Sequence, residues 1–369
     1  MLSRIFIVIN VVGLLYSKDL IAVDHSGKWL LSSHDKGEII LWDIEKGRLN
    51  NTFTIDCKQI TNIDLFSDYN DNLSVHIIVS CKDSTIIFID KDGTVIKNDY
   101  PPYVGAPLKI SADVMSLSLG SQYLYCFGND EIGYIVDPMS RKFVSYIQGS
   151  LEIDPIISKL SQDNKYLLVG YSDGRLCVWD VDRDIVSNDP NIIQISRSII
   201  NDISLSNAGT AVIVDQMNHL YLYSFEYNNI LKKKKFITNG SSQAVLIKNN
   251  GTGMITGHHN GRMNYWQIKE FRIKLVDQSP SDIHSGKISE LVFLPNPGNL
   301  NDQAIIISAG TDKYIRFTNV NDYSNVGTIY KDDLGWVVYN KNGGYAGTRS
   351  IPESFNNTQK IASPFENLF

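Results

Sequence analysis

Cysteine is scarce: four in 369 residues, none in a C-x-x-C pair. That excludes a small disulfide framework, a zinc ribbon and a thioredoxin-type redox motif. Cys57, Cys81, Cys126 and Cys177 stand far apart, mostly in apolar runs such as Leu176-Cys177-Val178-Trp179, and read as buried free thiols. Free thiols suit a reducing compartment, so the expected location is cytoplasmic. Charge of one sign is lacking too. Thirty-four Lys+Arg against 40 Asp+Glu leave a net −6 without a long basic block, so no nucleic-acid partner is expected. Charged residues make up only 20% against 43% hydrophobic, which excludes disorder or a charged coiled coil for the whole chain and supplies a sizeable core.

Long apolar runs are missing as well. Ile5 to Tyr16, after Met1-Leu2-Ser3-Arg4, is too short to span a bilayer but has the length and positive start of a signal peptide. Asn10 interrupts it, and Leu15-Tyr16-Ser17 matches the small-x-small cleavage pattern poorly. Export through residues 1–17 is the alternative to a cytoplasmic location. The N-x-S/T sites at Asn50, Asn72, Asn239, Asn250 and Asn356 do not decide it, since an asparagine-rich chain produces several by chance. No G-x-G-x-x-G, Walker or H-E-x-x-H pattern is present, and neither phosphate cradling, zinc hydrolysis nor a nucleophile elbow is expected. No stretch holds a period near 3.6, so the chain is all-β.

What is abundant is repetition. Asp24-His25-Ser26-Gly27-Lys28-Trp29-Leu30-Leu31-Ser32-Ser33-His34-Asp35-Lys36-Gly37-Glu38-Ile39-Ile40-Leu41-Trp42-Asp43 reads as turn, strand, tight turn, strand. The same grammar returns over Gln162 to Asp180 and Asn250 to Trp266, with weaker copies at Val75 to Asp90, Gln122 to Asp137, Gly209 to Ser224 and Gln303 to Asn319. One position falls at Trp42, Ile89, Val136, Trp179, Tyr223, Trp266 and Thr318, at intervals of 47, 47, 43, 44, 43 and 52 residues. Such a period belongs to four-stranded units that cannot bury both faces alone and must stack on their neighbours.

Trp42-Asp43 and Trp179-Asp180 carry the namesake dipeptide of the WD-repeat family, which the chain resembles from about residue 19 to 330. The resemblance implies a β-propeller, with the large aromatic of each third strand wedged between blades. It also implies a hydrogen-bond network of His, Ser/Thr, Asp and Trp. Only His284 stands where that histidine belongs, while turn aspartates survive at Asp35, Asp173 and Asp312. Closure is open between two arrangements. In one, seven blades stand with residues 335–349 as an extra hairpin and residues 1–17 as a signal or a single closing strand. In the other, the two ends combine into a composite eighth blade. Either way the expected unit is one propeller over residues 1–349, with 350–369 as a loosely ordered tail.

Candidate chemistry is sparse. Gly257-His258-His259-Asn260-Gly261 is the only dense histidine site, but adjacent side chains on a strand diverge and chelate poorly, so no metal or cofactor is expected. Lys232, Lys233, Lys234 and Lys235 form the one basic run, read as a solvated inter-blade loop and the only route to a membrane. Asp332-Asp333 reads as a solvated turn. Of the 19 tyrosines, Tyr134, Tyr221 and Tyr265 fall on core strand positions, whereas Tyr171 looks placed for a rim. The resemblance implies a non-enzymatic scaffold that docks a protein or peptide on the face built by the blade-entry loops and the turns between second and third strands. On this sequence that face comprises His34, Lys82, Asn129, Tyr171, Gln216, His258, His259 and Thr311. The competing classes are an enzyme, which needs charged and histidine side chains converging on the central channel, and an exported assembly subunit.

Overall fold

Apolar runs of five or six residues bounded by Asp, Asn and Gly turns become strands buried on both faces, as Glu38–Asp43 does with only Glu38 reaching solvent. The outer strand Arg48–Thr54 alternates instead, because one side of it meets water. The structure, a computed structural model, describes residues 20–57, 59–67, 75–97, 108–110, 113–120, 122–130, 132–148, 153–161, 163–181, 190–226, 229–238, 240–279, 283–295, 304–342, 344–348 and 359–360. The expectations for residues 1–17, and for most of the tail beyond 348, fall outside these.

Blade 1 consists of Ile21–Val23, Trp29–Ser33, Glu38–Asp43 and Arg48–Thr54, an antiparallel meander from the inner strand outward. Blades 2 to 7 repeat that order over 60–109, 114–148, 155–194, 200–237, 242–278 and 288–332. Each inner strand touches the next, and the seventh touches the first, so seven blades form a ring. The core is accordingly seven separate apolar joints between neighbouring blades. Trp179 is fully buried in the joint of blades 3 and 4 beside Phe127, and Trp42 in the joint of blades 7 and 1.

Every blade takes its four strands from one continuous segment, so among the described residues no strand is exchanged to close the ring. The C-terminal half of the expected composite eighth blade belongs instead to blade 7, and its N-terminal half lies outside the described residues. Gly335–Asn340 pairs with the outer strand of blade 7 and Gly344–Gly347 pairs with it in turn, extending that sheet sideways, with Gln359–Lys360 added in parallel. The hairpin therefore finds backbone partners in blade 7 itself, and Trp336 lies edge-on to Trp42 of blade 1 with ring centroids 5.9 Å apart. Two ion pairs also cross this seam, Lys331 to Glu38 at 2.6 Å and Lys313 to Asp35 at 3.4 Å.

Two sequence readings are corrected here. Cys57, ahead of the inner strand of blade 2, is disulfide-bonded to Cys81 at the end of that blade's second strand, and only Cys126 and Cys177 are free. Folding brings together cysteines 24 residues apart, which removes the ground on which free thiols pointed to a reducing compartment. Lys232–Lys235 lies not on a loop but in Asn229–Ile237, the outer strand of blade 5. Ile230 and Phe236 on either side continue the ladder to the third strand, with Leu231 at a bulge, so the run is a sheet edge.

Candidate functional site

The second strand of every blade ends on one face of the ring, where its turn meets the loop entering the blade. Registering the blades on the Trp42 position, through its partner Leu30 in the second strand, places two columns at that end. His34, Cys81, Gly128, Tyr171, Asp215, His258 and Gly310 occupy the first column. Lys82, Asn129, Ser172, Gln216, His259 and Thr311 follow one residue later. Successive side chains on a strand point to opposite sides, and that separates the proposed face residues into two groups.

The later column faces outward. Asn129, Gln216, His259 and Thr311 are exposed and Lys82 is half-buried. Each is pinned by its own backbone N–H, which donates to a carbonyl just ahead of the same blade's inner strand: Lys82 to Gln59, Asn129 to Asp113, Gln216 to Ile199, His259 to Ser241 and Thr311 to Lys287, at 2.9–3.2 Å. In blade 4 the residue so held is Ser172, donating to Asp154 at 3.1 Å. Tyr171, expected at the rim, is 2% exposed and points into the joint of blades 3 and 4, where burial, then Cys177, pushes its phenol above the usual range.

The earlier column points inward and builds hydrogen-bond networks. In blade 1, Trp42 Nε1 donates to Ser32 Oγ at 2.8 Å, and that hydroxyl lies 2.8 Å from His34 Nε2. Blade 6 repeats this with Trp266 Nε1 to Thr256 Oγ1 at 3.0 Å and Thr256 Oγ1 to His258 Nε2 at 2.9 Å. With the imidazole neutral, the hydroxyl that accepts from the indole can donate its own proton to Nε2. Burial agrees with this. It lowers His258 from 6.5 to about 4, and burial followed by the charge of Lys331 lowers His34 to about 4. In blade 5 the same position is Asp215, fully buried, accepting from Ser196 Oγ, His219 Nδ1 and Tyr221 OH at 2.5–3.0 Å. Burial opposes its ionisation, but these donors outweigh it and hold the carboxyl below the ordinary range.

Blade 7 keeps the arrangement anticipated from His284. Its Nδ1 lies 2.8 Å from Asp312 Oδ1 and its Nε2 2.9 Å from Ser308 Oγ. Burial again opposes ionisation of Asp312, and the hydrogen bond and charge of His284 with two backbone N–H groups outweigh it. The histidine thus arrives from the entering loop in blade 7, and from the end of the blade's own second strand in the other two, just past it in blade 1 and as its last residue in blade 6. Sequence reading missed the second route although its signal is there: Ser32-x-His34 and Thr256-x-His258 each precede tryptophan by the same eight positions.

The central channel, about 780 Å³, gathers Asp64, Lys159, Asp202 and Glu290 among its lining residues. These inner strands are side by side without a shared ladder, and the side chains cap each other's edges. Asp202 Oδ2 accepts Val245 N–H of the next blade at 2.8 Å, and Glu290 Oε2 accepts Ile21 N–H across the seam at 3.0 Å. Lys159 Nζ stands 4.0 Å from Glu290. Burial raises Asp64 to about 7, against the lowering effect of the Leu65 backbone N–H. A second cleft of about 710 Å³ opens at the seam of blades 7 and 1, with His34, Glu38 and Lys331 in its wall. The histidines at 258 and 259 do not converge, one being buried and the other exposed.

Gly170-Tyr171-Ser172-Asp173-Gly174 satisfies G-x-S-x-G, a spacing that the sequence reading passed over. The chemistry of that pattern needs a strand-to-helix elbow. Here it joins two antiparallel strands, and Gly174, at φ +82°, sits so close to the next loop that a Cβ would lie 2.5 Å from Ser196 O. It is a blade turn.

Residues 151–180, which contain this turn, match the family described as WD domain, G-beta repeat. The fold matches a chain in a solved structure titled "Crystal Structure of Mitotic Checkpoint Complex" at 11% identity and a TM-score of 0.64, over 83% of this chain and 87% of that one. No curated protein matches the sequence.

Proposed function

We propose that this chain, a WD-repeat β-propeller with one repeat close to the family pattern and six degenerate ones, is a non-enzymatic scaffold that docks a protein or peptide on its turn-bearing face, as a subunit of a larger complex. The observation that carries the reading is the outward column. Lys82, Asn129, Gln216, His259 and Thr311 present different chemistry from equivalent ring positions, each on backbone locked to the neighbouring loop. Binding residues are typically displayed on loops that a rigid scaffold positions. His34, Tyr171 and His258, turned inward, support that backbone and are not contact residues in this reading.

Side chains converge in the channel, as an enzyme would need. Asp202 and Glu290 nevertheless already accept backbone N–H groups of the adjoining blade, an engagement that supports a stitching role. A photo-crosslinking amino acid placed at Gln216 or His259 of the native protein, against one at Glu45 on the opposite face, tests the proposal. Discrete adducts from the first two positions and none from Glu45 are expected. Adducts confined to Glu45 would move the docking face.

A further inference from the structure

The outer strand of blade 5 is the longest outer strand among the described residues, nine residues, and its middle is Lys232-Lys233-Lys234-Lys235. All four lysines are exposed, and the strand stands at the edge of its sheet, with one side of its backbone facing no other strand among the described residues. Cross-strand partners share a face. Lys233 and Lys235 therefore lie with Tyr223 and Tyr221 on the blade 4 side, while Lys232 and Lys234 lie with Ser224 and Leu222 on the blade 6 side. Their described contacts are with rings: Lys235 Nζ is 5.5 Å from the Tyr221 centroid and Lys234 Nζ 5.3 Å from Phe236. Among the described residues none of the four forms an ion pair. Exposed Leu231 and Ile237, at 56% and 78%, bracket the run.

An exposed edge is a template for another strand, and lysines on it normally repel one. The same charges admit a strand that neutralises them. We infer that Asn229–Ile237 docks an extended acidic segment of a partner protein, which adds to blade 5 as a fifth strand. Its backbone pairs with the free edge, its carboxylates stand opposite the lysines on both faces, and its apolar ends rest on Leu231 and Ile237. The open backbone edge favours a strand over an anionic membrane, since a bilayer supplies negative charge but no ladder to pair with that edge. This surface lies on the circumference, away from the outward column, and stands or falls independently of the face proposed above.

The test is fluorescence anisotropy on the full chain with a labelled peptide bearing four consecutive glutamates between valines. Controls are the glutamine version, a version N-methylated at alternate residues, and flotation with phosphatidylserine vesicles. The acidic peptide is expected to bind, with the glutamine and N-methylated peptides each roughly tenfold weaker. Lys232→Gln/Lys234→Gln and Lys233→Gln/Lys235→Gln should each weaken it by roughly tenfold, the scale of two lost cross-strand charge pairs. Unchanged melting temperatures would show that both variants fold. Equal binding of the N-methylated peptide would overturn strand addition, indifference to both double variants would overturn the site, and vesicle flotation without peptide binding would assign the run to a membrane.

Discussion

Replacing His258 by glutamine asks whether the inward imidazoles are held neutral. His258 is 3% exposed, and its Nε2 meets Thr256 Oγ1 at 2.9 Å. With its pKa lowered from 6.5 to about 4, the folded protein refuses a proton that the unfolded chain binds between those values. Its contribution to stability is therefore complete above about pH 6.5 and is lost as the pH falls toward 4. At about 1.4 kcal/mol per pH decade, the loss is roughly 2 kcal/mol at pH 5 and about 3 kcal/mol below pH 4. Asp64 works the other way over the same range. Its carboxyl, raised to about 7, favours the folded state at low pH and loses that effect as the pH rises. Wild type alone thus shows a muted profile, and the difference between variant and wild type isolates the histidine. In urea unfolding followed by tryptophan fluorescence, His258→Gln should be about 1 kcal/mol less stable at pH 8, the worth of a hydrogen bond, and about 1 kcal/mol more stable at pH 5. Parallel profiles across that range would refute the reasoning.

Three further outcomes are expected. Trp179 Nε1 is buried with no hydrogen-bond partner, because Val169 holds the position that Ser32 and Thr256 fill for Trp42 and Trp266; Val169→Thr should raise stability by about 1 kcal/mol in chemical denaturation, and a loss would show that the indole cannot reach. Alkylation of the denatured protein, read by intact mass, should modify Cys126 and Cys177 alone before reduction and all four cysteines after it. Reduction should cost about 3 kcal/mol, the chain entropy of a loop that size, and four reactive thiols at the outset would exclude the disulfide. Trp336→Ala should cost about 1 kcal/mol through its contact with Trp42, and deleting 335–369 should lower the melting temperature further by baring the outer strand of blade 7; an unchanged melting temperature in the deletion would mean that the hairpin does not brace the seam.

Sequence by itself determined the blade. Strand, turn and strand recur with a large aromatic at a constant place because each of these is a local choice, made by apolar runs and by Gly, Asn and Asp between them, and seven local choices in register require a ring. Even the pairing of Ser32 with His34 and Trp42 was present as a spacing, though unread. Tertiary structure alone decided what depends on neighbours distant in the chain. Cys57 and Cys81 meet only after blade 2 has folded, and Asp202 and Glu290 become stitches only when an adjoining inner strand presents an unpaired N–H. Lys232–Lys235 had the composition of a loop and became a sheet edge because Tyr221 and Tyr223 offered a ladder beside it. Tyr171 looked like a rim residue and is core, since one step along a strand reverses a side chain and only the neighbouring blade fixes which side is inside.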